Sequence, residues 1–212
     1  QNYQKGSMRA SEHLALKLLS DGNKPDALMY VKENARVCDD CLNSYVQQML
    51  IACSMNLTSD IKSAEHYLLN YDKPLRSVAG LPSTLATVFD MTQKEQCTQV
   101  SLETLKKLNI KFLQSPAIYI NIGNHIGLYS NLYKIALVEQ DINAQSVYID
   151  QMWALRKSPW IADLKIGYLL KNNKFEQAVY FIDTELCKET ESSAFQDSCI
   201  ANINKIKKLT LK

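Results

Sequence analysis

Apolar residues along this chain of 212 recur at three- and four-residue spacing, the period of helices that turn one face to a core. The pattern predicts a first helix over 7–20, carrying Met8, Leu14, Leu16, Leu18 and Leu19. It stops at Asp21-Gly22, where glycine accepts a left-handed backbone. Pro25 opens a second helix, because the first turn leaves its missing N–H unneeded. Ala27, Leu28, Tyr30 and Val31 face inward there, with Met29 to one side. The next pair spans Leu42 to Tyr71. Tyr45, Met49, Ala52 and Cys53 share a face of its first helix, and Thr58, Ser59 and Asp60 offer an N-cap to the second.

Pro74, Gly80 and Pro82 interrupt the pattern, and Ser83 is the expected cap of a helix carrying Leu85, Val88, Phe89 and Met91. Another runs from Leu102 to Phe112 or Leu113. Ser115-Pro116 and Ser158-Pro159 are matching start signals, each pairing a capping residue with proline at the first helical position. The helix after Pro116 contains Gly123 and Gly127, each about 1 kcal/mol less favourable than Ala, which predicts a break or a close crossing. Leu132, Ile135, Ala136 and Val138 lead into a turn at Gln140 to Asn143, and Val147, Tyr148, Met152 and Leu155 follow. Ile161, Leu164, Gly167, Tyr168 and Leu169 carry the helix that ends at Lys171 to Lys174. A last helix, Ala194 to Lys208, places Cys199, Ile200, Ile203 and Ile206 on one side. Lys205, Lys207 and Lys208 suit its negative end.

Within this series the stretch from Leu132 to Leu186 repeats. Phe175, Ala178 and Ile182 are spaced x, x+3, x+7, as are Ile61, Ala64 and Leu68, and Ala144 precedes Ala178 by 34 residues. These units resemble tetratricopeptide repeats, helical hairpins of that length. Gly167 and Ala178 stand 11 apart where that pattern has about 12, so one turn residue is expected to be missing. The interval from Ala64 to Ala144 is 80 residues, not a whole number of repeats, so the segment between Pro74 and Pro116 is expected to be degenerate. The resemblance implies an all-α fold of stacked antiparallel helix pairs, a degenerate tetratricopeptide-like superhelix closed by a C-terminal capping helix. It is expected to be a single repeat domain over 1–212.

Composition changes this picture little. Hydrophobic residues at 46% and charged residues at 22% are ordinary for a globular chain, and 24 basic against 22 acidic residues leave a net charge of +2. Nothing in that balance calls for nucleic acid or an anionic membrane. No apolar run approaches the roughly 18 residues of a membrane span. The start at Gln1 predicts a domain excised from a longer protein, with any membrane contact made through a missing upstream region.

Six cysteines allow fifteen connectivities. Cys38 and Cys41 flank a helix junction, and Cys187 and Cys199 flank a polar loop. Pairing those two couples leaves Cys53 with Cys97. That arrangement favours an oxidising compartment such as a bacterial periplasm. The other reading is free thiols acting as small buried apolar residues in a cytosolic protein.

Catalytic signals are sparse. His13, His66 and His125 share no metal-ligand spacing, and Cys38-x-x-Cys41 lacks the βαβ context of a thioredoxin-like motif. Gly123 to Gly127 follows no strand, so it is not a phosphate loop, and Asn56-Leu57-Thr58 matches a glycosylation acceptor only at the level of three residues. No catalytic, cofactor or metal residue is assigned. Of eleven tyrosines, Tyr148 and Tyr168 fall on apolar faces, whereas Tyr71, Tyr119 and Tyr133 are candidates to line a binding groove, where the ring supplies area and the hydroxyl a polar tip.

The start, the cysteine pairs and the degenerate repeats together resemble the periplasmic C-terminal domain of bacterial O-antigen ligase or polymerase-like membrane proteins, a family that includes protein O-oligosaccharyltransferases. The resemblance implies a non-catalytic scaffold that binds a protein or glycan acceptor for a membrane-embedded transferase. The alternatives are a free-standing periplasmic adaptor or assembly factor and a cytosolic peptide-sensing regulator.

Overall fold

The computed structural model describes residues 13–37, 42–72, 80–115, 121–189 and 192–210. Every regular element among them is helical: α1 (13–20), α2 (Lys24–Val37), α3 (Leu42–Ser54), α4 (Thr58–Asn70), α5 (Leu81–Gln93), α6 (Leu102–Gln114), α7 (Ile122–Val138), α8 (Ile142–Leu155), α9 (Pro159–Lys171), α10 (Phe175–Phe181) and α11 (Ser193–Thr210). Helix α10 runs directly into a π-helical turn, Ile182–Leu186. The chain clusters into two compact units, Gln1–Asn131 and Leu132–Lys212. Pro116 and the start of the first helix at 7 lie outside the described residues, whereas Ser115, the expected cap of the helix after it, closes α6 instead, its hydroxyl donating to Lys111 O at 2.7 Å.

One turn recurs through the chain and sets the helix pairing. Gly22, Asn56, Gln140 and Asn173 each adopt a left-handed backbone, with φ of 82°, 55°, 56° and 58°. The next residue sends its N–H back five positions: Asn23 to Leu18 O, Leu57 to Ala52 O, Asp141 to Ala136 O and Lys174 to Leu169 O, at 2.8–3.0 Å. This closes the preceding helix as a Schellman motif and satisfies a carbonyl left free at its end. That same residue then opens the following helix, its carbonyl accepting from Ala27, Ile61, Gln145 and Ala178.

The four residues that donate to this carbonyl occupy equivalent places. Ala27, Ile61 and Ala178 are fully buried and Gln145 nearly so. Twelve residues before three of them stand Ala15, Met49 and Ile166, also fully buried. Each of these three hairpins thus buries one residue from either helix at the same register.

This register corrects the one expected from sequence. Ala144 is only half-buried, and its neighbour Gln145 takes the core place, 33 residues before Ala178. In the α3/α4 hairpin the equivalent of Ala178 is Ile61, not Ala64. No turn residue is missing before Ala178: Ile166 rather than Gly167 is the packed residue, and a Cβ built at Gly167 meets nothing within 4 Å.

In the first unit, Ile51, Ala15, Ala27, Leu28 and Val31 form one apolar cluster. Fully burying a Val, Leu or Ile side chain contributes roughly 1.5–3 kcal/mol, while Ala15 and Ala27 let the two helices approach. Leu14 and Leu16, two of the apolar positions that predict α1, are about 40% exposed, and Ala15 between them is buried. The N-cap position of α4 is held by Leu57, which offers no side-chain cap, and Thr58, Ser59 and Asp60 lie within the first turn instead. The N-cap of α5 is Gly80 rather than the predicted Ser83, whose hydroxyl donates to the Gly80 carbonyl at 2.9 Å. Ser101 does cap α6, accepting from Thr104 N at 3.0 Å, a bond of about 1 kcal/mol in such positions. A buried polar clasp completes the unit: Asn131 Nδ2 donates to Pro82 O at 2.8 Å and to Asn109 Oδ1 at 3.1 Å.

In the second unit, Asp141 caps α8 by accepting from Ala144 N at 2.9 Å, and Gln145 Nε2 donates to Ala136 O at 3.1 Å. Val147, one of the apolar positions that mark this helix, is 53% exposed, while Ile149, Met152 and Trp153 are buried. Helix α11 also turns differently from expectation. Ile200 is exposed, and the buried face is Phe195, Ser198 and Asn202. Ser198 Oγ and Asn202 Nδ2 reach the same Asp163 oxygen of α9, at 2.8 and 2.7 Å. Helix α11 is thus docked by a carboxylate and its two donors as much as by apolar packing.

A candidate binding cleft on the second unit

Helices α8, α9 and α10 of the second unit enclose a cleft of about 540 Å³, within the usual range of ligand sites. Its floor is apolar: Ile149, Leu169 and Phe181 are buried where the three helices meet. Trp153 packs edge-on to Phe181, with centroids 5.1 Å apart, and holds that ring in place. The π-helical turn sets the far wall. Its wider winding lets Cys187 N donate to Ile182 O at 2.9 Å, and it brings the Glu185 carboxylate to Trp153 Nε1 at 2.7 Å.

Charge is arranged around this floor. Lys165 Nζ lies 4.4 Å from the Phe181 centroid and 3.1 Å from Asp150 Oδ1. Lys174 Nζ lies 5.2 Å from the Tyr168 centroid and donates to the Tyr168 hydroxyl at 3.2 Å. That hydroxyl donates in turn to Ile142 O at 3.1 Å. Ring faces on this surface therefore already attract ammonium groups, as their quadrupoles require. At the rim, Glu176 is exposed and Tyr180 is 67% exposed, one helical turn apart on α10.

The candidate tyrosines are distributed otherwise. Tyr71 is 7% exposed and sits beside Tyr67, which stacks on Tyr45 at 3.6 Å. Its place in this aromatic row of the first unit leaves it little surface for a partner. Tyr133 is half-buried on α7, where burial, and then the Tyr168 phenol, push its hydroxyl pKa above the ordinary tyrosine value. Tyr119 lies outside the described residues, as do Cys38 and Cys41. The remaining cysteines are brought together as two disulfides, Cys53–Cys97 and Cys187–Cys199, with Cα atoms 5.0 and 5.2 Å apart.

Sequence reading passed over Lys165, Glu176 and Tyr180. A signal was present: from Phe175 to Leu186 there are three carboxylates and no basic residue, and Tyr180 falls four after Glu176, off the apolar face. The first unit has a hollow too, beside Met29, Lys32, Arg36 and Tyr45. Both of its cations are engaged, Lys32 with Asp60 at 2.6 Å and Arg36 with Glu33 at 3.5 Å. Among the described residues no three His, Cys, Asp or Glu side chains converge as a metal site, and no helix is long and apolar enough to cross a membrane.

No protein-family model matches this sequence, and no curated protein does. Among solved structures, the one reported under "Functional Characterization of Pseudomonas Aeruginosa pilF" is similar, with a TM-score of 0.53 at 13% identity. The match covers 97% of this chain and 93% of that one. At that identity the likeness shows the fold, an all-α arrangement of tetratricopeptide-like helix pairs.

Proposed function

We propose that this chain is a protein-interaction scaffold, and that the cleft of α8, α9 and α10 holds a segment of its partner. The observation that carries this reading is the cleft itself: an apolar floor with polar and aromatic groups at its margin, on a fold of stacked helix pairs that presents extended surfaces. A peptide display library panned on the whole chain tests it. Enriched peptides should protect amides in 146–150, 165–169 and 176–181 from hydrogen exchange, and Tyr180→Ala should weaken them. Protection confined to other segments would refute the assignment.

A narrower reading follows the sequence resemblance: a periplasmic accessory domain of a membrane glycan ligase or protein O-oligosaccharyltransferase, with a protein or glycan acceptor as partner. The two disulfides support an oxidising compartment. In this reading the domain binds acceptor and leaves transfer to the membrane-embedded part. Transfer of glycan from a lipid carrier by the isolated chain would contradict it.

A further inference from the structure

Charge and aromatic placement in the cleft select a class of partner. We infer that it takes a peptide segment presenting a cationic side chain, arginine in preference to lysine, seated between the Tyr180 ring and the Glu176 carboxylate. This rests on the cleft being the partner-binding surface.

The electrostatics point one way. Phe175 to Leu186 carries Glu176, Asp183 and Glu185 with no basic residue. Across the cleft, Asp150 is matched by Lys165. Glu185 is held by Trp153. Glu176 is exposed, with no ion pair among the described residues, so its charge is available to a partner.

The chain's own lysines show what these rings accept, since Lys165 rests on Phe181 and Lys174 on Tyr168. Tyr180, the most exposed aromatic of the cleft, carries no such cation among the described residues. A ring with an open face one turn from an open carboxylate matches both faces of a cationic group. Arginine fits better than lysine because its planar, weakly hydrated guanidinium can stack on the ring while its N–H fork engages the carboxylate. Its aliphatic stem, and an apolar neighbour in the peptide, would cover Leu169 and Ile149 on the floor.

The test is a titration of the isotope-labelled whole chain, followed by amide NMR. The probe is a Leu-Arg-Leu-Gly-Arg-Leu peptide, with analogues carrying lysine, citrulline or glutamate in place of arginine, each taken to about 1 mM. The arginine peptide should shift amides in 146–150, 165–169 and 176–181. The lysine analogue should bind several-fold more weakly, and the citrulline and glutamate analogues should leave those amides in place. Glu176→Gln or Tyr180→Ala, both surface changes, should each weaken the arginine peptide roughly tenfold. Added salt should weaken it too, as expected of an exposed ion pair. Equal shifts from the citrulline or glutamate analogue would overturn the cationic assignment and leave the cleft as a peptide site. Shifts from none of the four would overturn both.

Discussion

Trp153 Nε1 donates a 2.7 Å hydrogen bond to Glu185 Oε2, joining α8 to the π-helical turn 32 residues later. The bond holds the wall of the cleft at the place where the winding of α10 changes, while the Trp153 ring supports Phe181 beneath it. Trp153→Phe keeps much of the apolar packing and removes the donor. Losing a hydrogen bond to a charged group costs about 1.5–3 kcal/mol. The variant should therefore unfold at lower urea concentration by far-UV circular dichroism, with amide exchange raised first in 182–186. Unchanged exchange there would show that the bond does not hold the turn.

Two glycines in helices should respond oppositely to the same substitution. Gly127 of α7 faces Pro82, and a Cβ placed on it comes to 2.7 Å from the proline Cβ. One turn on, Asn131 clasps the carbonyl of the same proline. The close crossing expected from the glycine is made here, and Gly127→Ala should destabilise by about 1–3 kcal/mol through overpacking. Gly167 has open space in that direction. Gly167→Ala should stabilise by about 1 kcal/mol through helix propensity alone. Thermal melts of the two variants check both signs.

Glu65 of α4 has its Oε1 buried without a partner. Burial raises its pKa, against the smaller opposing effects of a Thr104 side-chain hydrogen bond and the Lys62 charge. A raised carboxyl pKa means that the folded chain holds this proton more tightly than the unfolded one. The associated loss of stability is absent below the ordinary glutamate pKa, grows as pH rises from there, and is complete above the folded value. Glu65→Gln should thus differ least from the parent at about pH 3.5, below that ordinary pKa, and gain relative stability towards neutrality. Urea midpoints across pH check this, and a difference independent of pH would remove the role assigned to Glu65.

The two disulfides should be separable by reductant. Cys53 and Cys97 are fully buried and 44 residues apart, whereas Cys187 and Cys199 are half-buried and 12 apart. Loop entropy alone assigns about 4 kcal/mol to the first and about 3 kcal/mol to the second. In the folded chain a mild reductant should open Cys187–Cys199 first, read as alkylation mapped by mass spectrometry. Cys53–Cys97 should yield only when denaturant exposes it. Equal rates would show that burial does not protect the longer bridge.

How much was legible beforehand differs from residue to residue. Gly22, the Asn172-Asn173 pair and Pro159 announced turns and a start that the structure contains, because the preferences of Gly, Asn and Pro act within a few residues, although the Ser158 side chain before Pro159 makes no capping bond. The face each helix buries was less accessible. Leu16, Val147 and Ile200 are as apolar as their neighbours yet stand exposed, and Gln145 and Asn202 are polar yet buried with partners on other helices.

Sequence by itself determined that this chain is all-helical and hairpin-paired, and roughly where each helix turns, since those features follow from local periodicity and turn chemistry. Only the tertiary structure decided that Ile166 and Gln145 hold the packed places that residue spacing assigns to Gly167 and Ala144, and that Lys165, Glu176 and Tyr180 face one cleft. The physical reason is that burial and electrostatic proximity depend on which helices meet. A one-residue rotation of a helix moves each side chain by about 100°, a change that apolar spacing spread around the helix does not exclude.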